Sequence, residues 1–133
     1  MNTDAMREAL EGSQAGRLTF GQVLGLLSKA GVESYRVDLV RGEDTFYLPN
    51  GDTHVEKMKP APVNSTIAAQ FSQPGVVAAI RAAQADQIRY AEFLKLAMAA
   101  GTAAYQVFLT GRKVIYFGRQ GEFHVEEFPR PKA

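Results

Sequence analysis

The chain has 133 residues and a formal net charge of +1, with 15 basic and 14 acidic side chains interspersed rather than blocked. That is one domain's worth of chain, long enough to bury roughly two thirds of its unfolded surface without staples, and 46% hydrophobic with 22% charged residues is ordinary for a soluble globular protein. The absence of cysteine excludes disulfides, thiolate chemistry and Cys-ligated metal centres, and the charge pattern offers no basic stripe of the kind phosphate backbones favour, so nucleic acid is not indicated as a partner.

The first residues, Met1-Asn2-Thr3-Asp4-Ala5-Met6-Arg7, lack the basic region and apolar run of a secretory signal. No stretch approaches the roughly 20 apolar residues of a membrane-spanning helix. The expectation is a cytoplasmic protein with no membrane partner.

In chain order, Met6, Ala9, Leu10 and Ser13 recur at helical spacing, which predicts a helix over residues 4–13, with Asn2, Thr3 or Asp4 as its cap and Gly12 and Gly16 as its limits. Thr19 and Gln22 then have the spacing of a capping box, and Phe20, Val23, Leu24 and Leu27 form the apolar stripe of a second helix. Gly31 stops that helix, where a left-handed residue is wanted. Beyond it the period falls from 3.6 to 2. Tyr35, Val37 and Leu39 alternate with Arg36 and Asp38, as a half-buried strand requires. Arg41-Gly42-Glu43-Asp44 reads as a turn, residues 45–48 as a short strand, Pro49-Asn50-Gly51-Asp52 as a type I′ hairpin turn, and residues 53–58 as a closing strand.

The prolines of Lys59-Pro60-Ala61-Pro62-Val63-Asn64-Ser65 mark a connector, with a helical turn or two over residues 65–71. Pro74 suits the first turn of a third helix, reaching about residue 85. Tyr90, Phe93, Leu94 and Ala97 stripe a fourth, which ends at Gly101. A strand through Tyr105, Val107 and Leu109, a turn at Thr110-Gly111-Arg112, a strand over 114–117, a turn at Gly118-Arg119-Gln120-Gly121 and a strand over 123–128 complete the chain before a frayed tail, 129–133.

The second half restates the first. Gly31, Tyr35, Val37, Leu39, Gly51, His54, Val55 and Glu56 reappear as Gly101, Tyr105, Val107, Leu109, Gly121, His124, Val125 and Glu126, all at one offset (124 − 54 = 70) and without a gap. The reading is a tandem duplication of a unit made of two helices and a three-stranded antiparallel meander, about residues 4–59 and 74–129, joined by a connector over 60–73. A unit of some 60 residues is marginal alone. The two are therefore expected to form a single domain, 1–133, of α+β class, with helices on one face of an antiparallel sheet.

Family resemblance rests on Gln84, Tyr90-Ala91-Glu92-Phe93, Ala100-Gly101, Tyr105-Gln106-Val107 and Tyr116-Phe117-Gly118-Arg119-Gln120-Gly121, with Phe20, Ala30-Gly31-Val32-Glu33-Ser34-Tyr35 and Asn50-Gly51 from the first half. On these residues, which span nearly the whole chain, the sequence resembles a small uncharacterised bacterial and phage-associated family, a domain of unknown function. Some of its members carry the label "phage envelope protein". Members often have His-Gln before the second unit's main helix, where Ala83-Gln84 stands here. The resemblance implies no activity, cofactor or catalytic residue.

Two histidines exist, and each heads a His-Val-Glu triplet: His54 with Glu56, and His124 with Glu126. Residues two apart on a strand share a face. If a pseudo-two-fold axis brought the final strands together, two imidazoles and two carboxylates would converge as a metal site or an acid–base pair. That needs the imidazoles within about 6 Å, since each nitrogen–zinc bond is about 2 Å. The structural reading of the same pattern is preferred: Met58 and Phe128 continue that face, and His and Glu satisfy one another. Tyr35 and Tyr105 are candidate pocket-lining residues. Gly111-Arg112-Lys113 lacks the rest of a phosphate loop, Gly118-Arg119-Gln120-Gly121 has no helix after it, and no serine sits in a nucleophile elbow. The function expected is binding of a protein or small ligand between the repeats, without catalysis and with no cofactor. The alternative is a metal-dependent or acid–base enzyme using the paired His and Glu residues. An open sheet edge would favour a homodimer.

Overall fold

The computed structural model describes residues 1–60 and 67–129. Four helices and six strands follow in the order α1 (Thr3–Gln14), α2 (Phe20–Lys29), β1 (Ser34–Asp38), β2 (Glu43–Tyr47), β3 (Thr53–Lys57), α3 (Gln73–Gln84), α4 (Tyr90–Ala99), β4 (Thr102–Phe108), β5 (Lys113–Gly118) and β6 (Phe123–Glu127). The class is α+β, with one antiparallel six-stranded sheet in the order β3-β2-β1-β4-β5-β6.

Local chemistry accounts for the helix ends. The Asn2 side chain accepts from the Ala5 amide at 3.1 Å, and Ser72 does the same for Gly75 at 3.1 Å. At α2 the box is reciprocal: Gln22 N–H donates to Thr19 Oγ1 at 3.2 Å, and Thr19 N–H donates to Gln22 Oε1 at 2.9 Å. α2 and α4 both end two residues before a glycine of positive φ, Gly31 at 80° and Gly101 at 95°, with Ala30 and Ala100 as the C-caps between.

The halves meet in the middle of the sheet. β1 pairs β4 so that Tyr35 lies opposite Val107 and Val37 opposite Tyr105. The outer pairings repeat at the offset of 70: Glu43 faces Lys57 in one half and Lys113 faces Glu127 in the other. Tyr35, Val37, Phe46, Tyr105, Val107, Val114 and Tyr116 are buried on the face the helices cover, in one core with Met6, Leu27, Val76, Phe93 and Met98. The alternate residues look outward; Phe123 is 64% exposed.

Three expectations need correction. Residues 67–72 form no helix, and 65–66 lie outside the described residues, as do the middle of the connector and the tail from 130. In the hairpin of Pro49-Asn50-Gly51-Asp52 only Gly51 has a positive φ, 93°, and Gly51 N–H donates to Leu48 O at 3.0 Å. This is a three-residue loop closed by a left-handed glycine rather than a type I′ turn, because Asn50 keeps a negative φ. Lastly, β2 begins at Glu43, so Glu43 and Asp44 belong to the strand and not to the turn before it. Pairing with β1 and β3 overrides the low strand propensity of acidic residues.

The helices are not seated symmetrically. α1 packs on α2, α4 and β3, and α4 packs on α3 and β4. α2 leans chiefly on α1 and has no comparable packing on α3 or β1.

Candidate functional site

The sheet order separates the two histidines. β3 and β6 are opposite edges, five strand spacings apart, or about 24 Å at about 4.8 Å per step. His54, Glu56, His124 and Glu126 therefore do not form one cluster, and among the described residues no group of three or more His, Cys, Asp and Glu could hold a metal ion. The reason is topological: β1 and β4 took the central places, which drove the final strands outward.

Each pair is instead satisfied where it stands. His54 Nε2 contacts Glu56 Oε2, and Arg7 Nε of α1 lies 3.6 Å from Glu56 Oε1. At the other edge Gln73 Nε2 donates to His124 Nδ1 at 2.9 Å, leaving Nε2–H to donate to Glu126 Oε1 at 3.3 Å. Arg81 Nη1 donates to Glu126 Oε2 at 2.7 Å. Burial works against ionisation of Glu126, but Arg81 and His124 together hold its carboxyl below the ordinary range. These contacts clip α1 to one sheet edge and α3 to the other.

A different site occupies the space between helices and sheet. Where α2 stands away from α3, a cavity of about 940 Å³ opens, bounded by both halves of the chain. Its floor is the buried sheet face: Tyr35 and Asp44 from the first half, Tyr105 and Tyr116 from the second. Tyr90 and Phe93 of α4 form one side, and Leu24 and Leu27 of α2 the other. Exposed lining residues mark the mouth. Phe20, 48% exposed, meets Phe128 edge to face at 5.9 Å between ring centroids. Arg112 lies over the Phe128 ring at 5.5 Å, and Arg89 is bound to Asp86 at 2.5 Å.

Eight aromatic rings contribute to the walls. Tyr105 and Tyr116 lie 5.4 Å apart between centroids, and Phe93 stands edge-on to both at 6.3 Å. The hydroxyls of Tyr90 and Tyr105 are 2.7 Å apart and hydrogen-bonded. Burial raises the hydroxyl pKa of Tyr35, Tyr90 and Tyr105 well above the ordinary value, and the Asp44 carboxylate reinforces the rise at Tyr35 and Tyr90.

Asp44 is the anomaly. It is 4% exposed, lies on the cavity floor, and its Oδ1 has no hydrogen-bond partner. The other buried side-chain oxygen without a partner among the described residues, Thr102 Oγ1, does not line the cavity. Glu56 sits directly across from Asp44 on β3. Burial first, and the Glu56 carboxylate second, push the Asp44 carboxyl up to about 8.

Tyr35 and Tyr105, singled out in the sequence, both line this cavity; Asp44 was hidden by its assignment to a turn. The signal that would have found it is the strand period itself. Counting back by two from Phe46 places Asp44 on the inward face. No protein-family model matches the chain, and no curated protein matches it.

Proposed function

We propose that this protein is a small-molecule-binding module whose ligand enters between α2 and the sheet and rests on the Asp44–Tyr35–Tyr105 floor. One observation carries the reading: a cavity of about 940 Å³, walled by both halves of the chain, that keeps an unpaired carboxyl oxygen at its base. Drug-sized ligands occupy clefts of about 300–1,000 Å³ that are mostly apolar with a few convergent polar groups. Burying an unpartnered carboxyl costs folding free energy, so a group retained there is explained by what it meets when the site is filled. The His and Glu pairs at the sheet edges belong to the scaffold in this reading, and no catalytic step is assigned to them.

No helix among the described residues is long and apolar enough to cross a membrane, and a cytoplasmic location is proposed on the composition of the chain. Kinship with the phage-associated family, argued from Tyr105-Gln106-Val107 and its neighbours, belongs to the same proposal and brings no activity with it.

The test is a titration with Nile red, a neutral apolar dye whose emission shifts on leaving water. Saturable binding at one site is expected, with affinity reduced at least about tenfold by Leu24→Trp, which fills the space beside α2. Failure of the dye to bind, or equal binding by wild type and variant, would overturn the proposal.

A further inference from the structure

The polar content of the cavity is lopsided. Two basic side chains line it, Arg89 and Arg112, and both are exposed at the mouth. Arg89 is engaged by Asp86, and Arg112 by the Phe128 ring and, at 3.3 Å, the Pro129 carbonyl. The interior holds the opposite charge type. Asp44 is there with Oδ1 unpartnered, and Glu56 stands across the β2–β3 ladder from it, adding negative potential from behind. Around this pair the walls are rings. Tyr35 lies diagonally across β1 from Asp44, within the reach of cross-strand aromatic contacts, and Tyr90, Tyr105 and Phe93 complete the enclosure.

An apolar chamber with aromatic faces and one buried, unpartnered carboxyl on its floor has a defined complement; of the other acidic lining residues, Asp86 and Glu127 are exposed and Glu126 is held by Arg81 and His124. Ring faces attract a cation through their quadrupole, and a desolvated carboxylate attracts it by charge; both effects strengthen as water is excluded. An anionic ligand would find no basic side chain inside to pair with, since Arg89 and Arg112 stand at the mouth, and a neutral one would gain nothing from the carboxyl's charged form. We infer that the cavity is selective for organic cations, an apolar or aromatic body carrying an ammonium group that docks on Asp44 among Tyr35, Tyr90 and Tyr105. The inference rests on the cavity being a binding site, as proposed above, and adds the charge class of the ligand.

A proton exchange follows from the same geometry. The groups around Asp44 are the buried phenols Tyr35 of β1 and Tyr105 of β4, the partly buried Tyr90 of α4, and Glu56 of β3, itself held by His54 and Arg7; Tyr116 of β5 and Glu126 of β6 line the same cavity. With its pKa raised to about 8, Asp44 carries a proton at neutral pH in the empty site. An ammonium seated beside it favours the carboxylate, so binding expels that proton to solvent.

The experiment compares naphthylmethylamine, as its ammonium ion, with naphthalenemethanol, a neutral body of nearly the same shape. Both are titrated calorimetrically at neutral pH in two buffers of different ionisation enthalpy. The amine is expected to bind at least about tenfold more tightly than the alcohol and to release close to one proton per site. Asp44→Asn, nearly isosteric, is expected to abolish both the preference and the proton release. A cooperative thermal melt at or above the wild-type temperature shows the variant to be folded. Equal affinities for amine and alcohol without proton release would overturn the cation selectivity and leave the cavity reading standing. Binding of neither probe, with Nile red also unbound, would sink both.

Discussion

Asp44 is held in a state its unfolded counterpart does not share. In the folded protein its carboxyl is raised to about 8, against about 4 for a solvated aspartate. Between those values the folded state keeps a proton that the unfolded state has lost. The sign is therefore the reverse of a salt-bridged acid: stability falls as pH rises from about 4 to about 8, by roughly 1 kcal/mol per pH unit from this group. Thermal melts followed by circular dichroism should show wild type losing stability across that window. Asp44→Asn should flatten the loss and melt higher than wild type at the alkaline end. A wild-type curve that rises over the window would contradict the burial of an unpaired acid. A gain in stability on removing a functional group is the usual mark of a site kept for binding.

Gly31 and Gly101 close corresponding helices with the same backbone twist, yet their surroundings differ. A Cβ on Gly31 would meet nothing within 4 Å. The same atom on Gly101 would fall 2.4 Å from the Gln70 carbonyl oxygen and 2.8 Å from Phe71 Cα, both backbone atoms of the segment leading into α3. Gly31→Ala should thus cost only the left-handed conformation, about 1–2 kcal/mol. Gly101→Ala should cost that and a displaced backbone, about 1–3 kcal/mol more. Urea midpoints of the two variants read the difference, and equal midpoints would mean that the approach of residues 70–71 is not fixed. The asymmetry of the helices has a parallel cause. α4 places Tyr90 against Tyr105, where the hydroxyl pair anchors it to the sheet. α2 has Phe20 at the corresponding position, which reaches Phe128 at the mouth instead. Both helices bury side chains in the core, Leu27 of α2 and Phe93 of α4 among them, but only α4 has the hydroxyl tie, and the cavity lies between the two.

At the scale of the whole molecule, the β1–β4 ladder joins two meanders that bury little by themselves. Val37 and Val107, both fully buried, sit in that seam. Complete burial of a valine side chain is worth roughly 1.5–3 kcal/mol. A fragment of residues 1–59 would lose the seam and expose β1 as an unpaired edge. It should be largely unfolded by circular dichroism, or associate through that edge in size-exclusion chromatography. A monomeric fragment that melts cooperatively would show that the halves do not depend on each other.

The sequence by itself determined the elements. Hydrophobic period, the Thr19–Gln22 cap and the two helix-ending glycines act between near neighbours, so helices, strands and the α+β class were legible without knowing what packs on what. It also showed, through the offset of 70, which positions correspond. What it could not show is which strands meet. The histidines are matched by offset, but matching fixes equivalence and not proximity; the central pairing of β1 with β4 decided that they stand at opposite edges. The candidate site lies where the halves differ. Asp44 corresponds to Val114 (44 + 70 = 114) and Phe20 to Tyr90 (20 + 70 = 90). A carboxyl becomes an unpaired buried group only when the other half, and a helix that stands off, close around it. That enclosure is made by side chains distant in sequence, and tertiary structure alone brings them together.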